Sequence, residues 1–166
     1  MLAVLKAGLM GESDRLLADL AQELQGRGLR VLGAVQENTD RPDGKPCDMD
    51  LRIVPSGQRI RISQSLGSGS TGCRLNPEGV EAAAGLLAVE LAKGADLLVI
   101  NKFGKQEAAG AGFRALIGEA LAQGVPVITA VKSVNAEGFE AFAQGLATPL
   151  PNDRQAVLDW LELQLA

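Results

Sequence analysis

The sequence predicts an α/β fold: a mainly parallel sheet flanked by helices, with a β-hairpin inserted in it. Three observations carry this reading. An amphipathic run closing on Gly, followed at once by a compact apolar strand, occurs three times, at 16–28 before 29–35, at 80–94 before 95–100, and at 113–124 before 125–131. A Gly in that place suits the left-handed cap that stops a helix and turns the chain back toward a sheet. The strands are almost continuously apolar, which fits burial on both faces and hence parallel pairing beneath helices. Finally, 166 residues with 46% apolar content are enough for one core without disulfides or a structural metal, so residues 1–166 form a single domain.

The elements follow in order. Residues 1–6 form a first strand: the apolar run is interrupted by Lys6, is closed by Gly8 and has no basic region before it, so it does not read as a secretory signal. No stretch approaches the ~18 apolar residues of a membrane span, and a cytoplasmic protein without a membrane partner is expected. Leu16, Leu17, Leu20 and Leu24 give the first helix its stripe. Between Glu37 and Asn76 the composition turns to Gly, Pro, Ser and charged residues. Within it 49–54 and 59–63 alternate around Pro55-Ser56-Gly57-Gln58, so 37–76 is read as a hairpin and a Gly/Ser loop inserted in the domain. Asn76-Pro77 then starts a helix. Phe113, Leu116, Ile117, Ala120 and Leu121 form a later stripe, and Val157, Trp160, Leu161 and Leu165 the last, with Trp160 as a packing residue. Four core strands are expected.

Composition excludes several chemistries. With no histidine there is no Ser-His-Asp triad, Cys-His pair or imidazole shuttle. The net charge of -4 and the five aromatic residues (four Phe, one Trp, no Tyr) disfavour nucleic acid as a partner. Cys47 and Cys73 are far apart and form no CxxC pair, so no metal site is expected and the pattern suits a reduced compartment.

Ligands of open parallel sheets bind beyond the carboxyl ends of the strands. The first strand leaves through Lys6, Gly8, Gly11 and Ser13, the second through Gln36-Glu37-Asn38, the third through Asn101, Lys102, Lys105 and Glu107, and the fourth through Lys132-Ser133. Three of these four exits carry lysine in an acidic protein, a local field suited to a small anionic ligand. A second anion feature is the loop holding Ser70, Thr71, Cys73 and Arg74 before the Asn76 cap, where backbone N–H groups and a helix start can surround an oxyanion. The expected ligand-binding set is therefore Lys6, Gly8, Gly11, Ser13, Ser70, Thr71, Cys73, Arg74, Asn101, Lys102, Lys105 and Glu107, with Arg74, Lys102 and Lys105 converging on one pocket. Cys73 is a nucleophile only if Arg74 and the helix start lower its pKa; otherwise it packs. Glu107 either positions a water or ties its own loop through Lys105 or Arg114.

The order of strand, Gly-bearing loop, helix, a strand ending in Gly-Ala-Val-Gln, a hairpin, and Leu-Leu-Val-Ile-Asn-Lys-Phe-Gly-Lys-Gln-Glu resembles the small bacterial and archaeal P-loop nucleoside triphosphatases. Gly72-Cys73-Arg74-Leu75-Asn76-Pro77 and Asn101-Lys102-Phe103-Gly104-Lys105-Gln106-Glu107 resemble more closely a bacterial domain-of-unknown-function family whose members accompany molybdate-uptake genes. The resemblance implies a P-loop-like fold and leaves the reaction open. Two departures stand out. In GxxxxGK[ST] the Lys neutralises phosphate and the hydroxyl binds magnesium, but here Gly11 is followed by Glu12 and Ser13. The strand that should end in a metal-organising aspartate ends in Asn101. The expectation is a binding protein for a nucleotide or another oxyanion, with weak or absent hydrolysis and no residue assigned a catalytic role. The alternatives are a nucleoside-triphosphate hydrolase with an unorthodox loop, using Glu107 or Glu37, and a molybdate- or tungstate-handling protein.

Overall fold

In the computed structural model, which describes residues 1–8, 11–65, 67 and 74–166, the apolar runs become the centre of one seven-stranded sheet. The strands are β1 (Leu2–Lys6), β2 (Val31–Thr39), β3 (Asp48–Val54), β4 (Arg59–Arg61), β5 (Leu97–Ile100), β6 (Val127–Val131) and β7 (Ala147–Leu150), in the order β4-β3-β2-β5-β6-β1-β7. From β2 to β7 every pairing is parallel. Every residue of β5 and β6 is buried, as their almost continuously apolar sequence, broken only by Thr129, leads one to expect.

The helices are α1 (Glu12–Gly26), α2 (Pro77–Leu91), α3 (Lys105–Ala108), α4 (Arg114–Ala122), α5 (Ala136–Ala143) and α6 (Arg154–Leu165). They cover both faces and divide the core in two. On one face Leu17, Leu20, Ala21 and Leu24 of α1 pack with Val157, Leu158, Trp160 and Leu161 of α6 over Ala3, Leu5, Val99 and Ile128. On the other, α2, α4 and α5 contribute Val80, Leu87, Leu116, Ile117 and Phe139 over Leu32, Leu98 and Val127. Trp160 is 7% exposed, as a packing residue should be. Caps set two of the helix starts. The Asn76 side chain accepts from the Glu78 N–H at 3.1 Å, and Asp153 accepts from the Ala156 N–H at 2.9 Å.

The strand count departs from expectation. The parallel set has a fifth member, β7, whose sequence Ala-Thr-Pro-Leu carries no apolar run because it lies at the sheet edge against β1 alone, where a proline is tolerated. The hairpin does not stand apart from the sheet. β3 pairs antiparallel with β2 from Gly33↔Val54 to Thr39↔Asp48, which also explains why β2 runs on to Thr39. Its polar side chains pair across strands: Arg52 and Arg59 both reach Glu37 at 2.8 Å, and Arg61 reaches Asp50 at 2.7 Å. Among the described residues no helix is long and apolar enough to cross a membrane.

Candidate functional site

Because β1, β2, β5 and β6 are parallel, their carboxyl ends open on one rim. An open cleft of about 1070 Å³ lies there, and its walls include Gly8, Gly11, Asp14, Gln36, Arg74, Lys102 and Lys132. Each comes from a strand exit or from a segment folded against one. Arg15, Asp19 and Glu37 complete the charged lining.

The loop after β1 turns into α1 through Gly11, whose φ of 72° is a left-handed conformation that strongly favours glycine. The first turn of α1 therefore begins at the rim with its N–H groups unspent inside the helix. Glu12 uses that position. Its carboxylate folds back over Gly8, where a β-carbon would meet Glu12 Oε2 at 1.8 Å, and a negative group is favoured beside a helix N-terminus. The residue standing where a phosphate loop carries lysine thus lays its own anion on the loop.

The adjoining side chains of α1 point inward. Ser13 is 1% exposed and its hydroxyl finds no hydrogen-bond partner among the described residues. Asp14 is 9% exposed, a depth at which a carboxylate needs partners. The exit of β5 supplies them. Asn101 Nδ2 donates to Asp14 Oδ1 at 3.0 Å, and Lys102 Nζ donates to Asp14 Oδ2 at 3.2 Å. The network closes on β2: Asn101 Oδ1 accepts from the Gln36 N–H at 3.1 Å, and Lys102 Nζ lies 3.5 Å from Gln36 Oε1. An ammonium is so held between α1, β2 and β5, with its side chain 28% exposed toward the cleft.

Arg74 and Lys102 line the same cleft although 28 residues separate them, because the segment before α2 is tied back to the rim. Arg74 Nη2 donates to the Cys47 carbonyl at 2.6 Å, and Gln64 N donates to the Arg74 carbonyl at 2.7 Å. Lys105 is separate: it is exposed at the start of α3 and lines a smaller neighbouring cavity of about 130 Å³, which Lys102 also borders. Lys6 is exposed and is not part of the cleft wall; its carbonyl accepts from Asn152 Nδ2 at 2.7 Å. Ser70, Thr71 and Cys73 lie outside the described residues.

Glu107 is 4% exposed, with Oε2 accepting from the Gly104 N–H at 2.9 Å and Oε1 from the Phe113 N–H at 3.0 Å. Both oxygens hold backbone, and Arg114 Nη1 meets the Glu107 carbonyl rather than the carboxylate. The loop is tied, but through amides instead of through Lys105 or Arg114 side-chain pairing. Glu37, the other carboxylate considered for water, is clamped by Arg52 and Arg59.

Sequence reasoning did not single out Asp14 or Arg15. For Asp14 a signal was present: Asp14, Leu17, Ala21 and Leu24 recur at the spacing of one helix face, so an acid there must turn toward the core and find a cation.

Phosphate-loop sites bind Mg²⁺ through the loop hydroxyl and a carboxylate at a strand end. Ser13 retains the hydroxyl, but the rest of this donor set does not fit. Asn101 is neutral and engaged at both ends of its amide, and Asp14 already carries an ammonium. Unit charges of like sign about 4 Å apart repel by about 4 kcal/mol at an effective dielectric constant of ~20, and a dication doubles this. Among the described residues no group of three or more Cys, Asp or Glu could hold a metal.

Residues 2–160 match the family described as Protein of unknown function (DUF2478), and the chain belongs to it. It is 42% identical over 149 residues to the Molybdenum import ATP-binding protein ModC 2 of Bradyrhizobium diazoefficiens, an alignment that covers 89% of this chain but only 16% of that protein. The crystal structure of THEP1 from the hyperthermophile Aquifex aeolicus superposes with a TM-score of 0.69 at 16% identity, covering 98% of this chain and 95% of the other. The solution structure of a human cancer-related nucleoside triphosphatase gives 0.63 at 17%, with the same coverage. The fold is that of these two structures.

Proposed function

We propose that this member of the DUF2478 family binds a phosphate-bearing ligand or similar oxyanion in the cleft at the carboxyl rim, with little or no hydrolysis. The observation that carries the reading is the cleft itself, whose wall combines Gly8 and Gly11 with Arg74, Lys102 and Lys132 from distant parts of the chain. Lys132 is exposed and has no ion pair among the described residues, so its charge is available to a ligand. Guanidinium, ammonium and first-turn N–H groups all favour oxyanions.

Hydrolysis is disfavoured by the same geometry. Glu12 replaces the loop lysine, Asn101 replaces the strand-end carboxylate, and both Glu37 and Glu107 are committed elsewhere. A second reading, molybdate or tungstate as the ligand, draws support from the name of the Bradyrhizobium relative, of whose length this chain spans about one sixth.

Isothermal titration with ATP, GTP, phosphate, sulfate and molybdate tests the proposal. Saturable binding of at least one anion, weakening as salt is added, is expected, with phosphate release from ATP or GTP no faster than from a control protein. Silence toward all five refutes it, and steady turnover promotes the hydrolase.

A further inference from the structure

We propose that the Lys102 ammonium is the resident cation of this cleft, so that the anion is bound without a divalent metal; the inference rests on the anion-binding reading above. Three observations lead here. The residue at the strand end that would organise a metal is an amide, Asn101, whose oxygen accepts from the Gln36 N–H and whose nitrogen donates to Asp14. The next residue places a positive charge on that same Asp14 carboxylate, at 3.2 Å. At the loop the charge is exchanged in the opposite sense, with glutamate where lysine is expected, and Glu12 rests on Gly8. The loop therefore carries an anion where a cation is expected, and the strand end carries an ammonium paired with Asp14 where a carboxylate is expected.

Charge balance explains why the exchanges belong together. A phosphate loop with its lysine, a metal and a carboxylate at the strand end carries two cations around the ligand. Here Asp14 and Gln36 fix the Lys102 ammonium in a wall that also carries Arg74 and Lys132, so cations are present without a solution metal. Such a site recognises a compact oxyanion by charge and hydrogen bonding alone and is indifferent to whether that anion arrives complexed with magnesium.

The test titrates ATP, inorganic phosphate and molybdate into the full chain in EDTA and again with Mg²⁺. Binding in EDTA that is as tight as, or tighter than, binding with Mg²⁺ is expected. Lys102→Met, checked as folded by circular dichroism, should weaken it by about tenfold or more, the size of one charge-assisted hydrogen bond. Mn²⁺ alone, followed by electron paramagnetic resonance, should not bind the wild type, whereas Lys102→Asp should acquire binding. Anion binding that appears only with Mg²⁺ overturns this inference and leaves the proposed function standing. Absence of binding under both conditions removes both. Unchanged affinity in folded Lys102→Met overturns the role of Lys102.

Discussion

Two halves of one loop, the exit of β5, spend their charges differently. Lys102 lines the cleft, where it meets Asp14 and Gln36 and keeps access to solvent, and the buried Asn101 beside it braces Asp14 from behind. From Phe103 to Phe113 the loop turns inward: Phe103 is fully buried against Phe139, with ring centroids 5.2 Å apart, and Glu107 gives both oxygens to backbone N–H groups. The first half spends its polarity on a site and the second on keeping that site in place. A carboxylate in a conspicuous motif is thus not by that fact a chemical group; what its oxygens already hold decides.

Thermal melts of three variants sharpen the contrast. Phe103→Ala should have the largest effect, about 3–5 kcal/mol of stability, because it empties a filled core position. Glu107→Gln comes next, at about 1–3 kcal/mol, since the new amide cannot accept from both N–H groups and one buried donor loses its partner. For a chain of this size each kcal/mol corresponds to about 2–4 °C in Tm. Lys102→Met should move Tm least, because its side chain is 28% exposed and the Asn101 amide still serves Asp14. A Lys102→Met melt lowered as far as that of Glu107→Gln would erase the distinction between the halves.

Much of the parallel centre could be read from the sequence, because β5 is apolar throughout, β6 is apolar but for Thr129, and the preceding helices end on glycine. β7 was not legible: a four-residue edge strand containing Pro149 buries too little to leave an apolar signature. At the site, the strand exits were visible as polar residues after apolar runs, which is how Lys102 and Lys132 drew notice. The depth of Asp14 was only implicit in the α1 stripe. The brace formed by Glu107 was written locally, in a glycine three residues before a glutamate that opens α3, the spacing at which a side chain returns to the N-cap N–H. The approach of Arg74 to the rim depends on hydrogen bonds to Cys47 and Gln64, residues distant from it in the chain that no local pattern connects to it.

The most direct measurement is an anomalous difference map from crystals of the full chain soaked in tungstate. A peak in the cleft, within hydrogen-bond distance of the Lys102 ammonium and bordered by Gly8 and Gly11, is the expected result. A protein that takes up tungstate only at sites touching neither Lys102 nor Arg74, with the cleft showing no density while the anion is bound elsewhere, would contradict the assignment of this rim as the anion site.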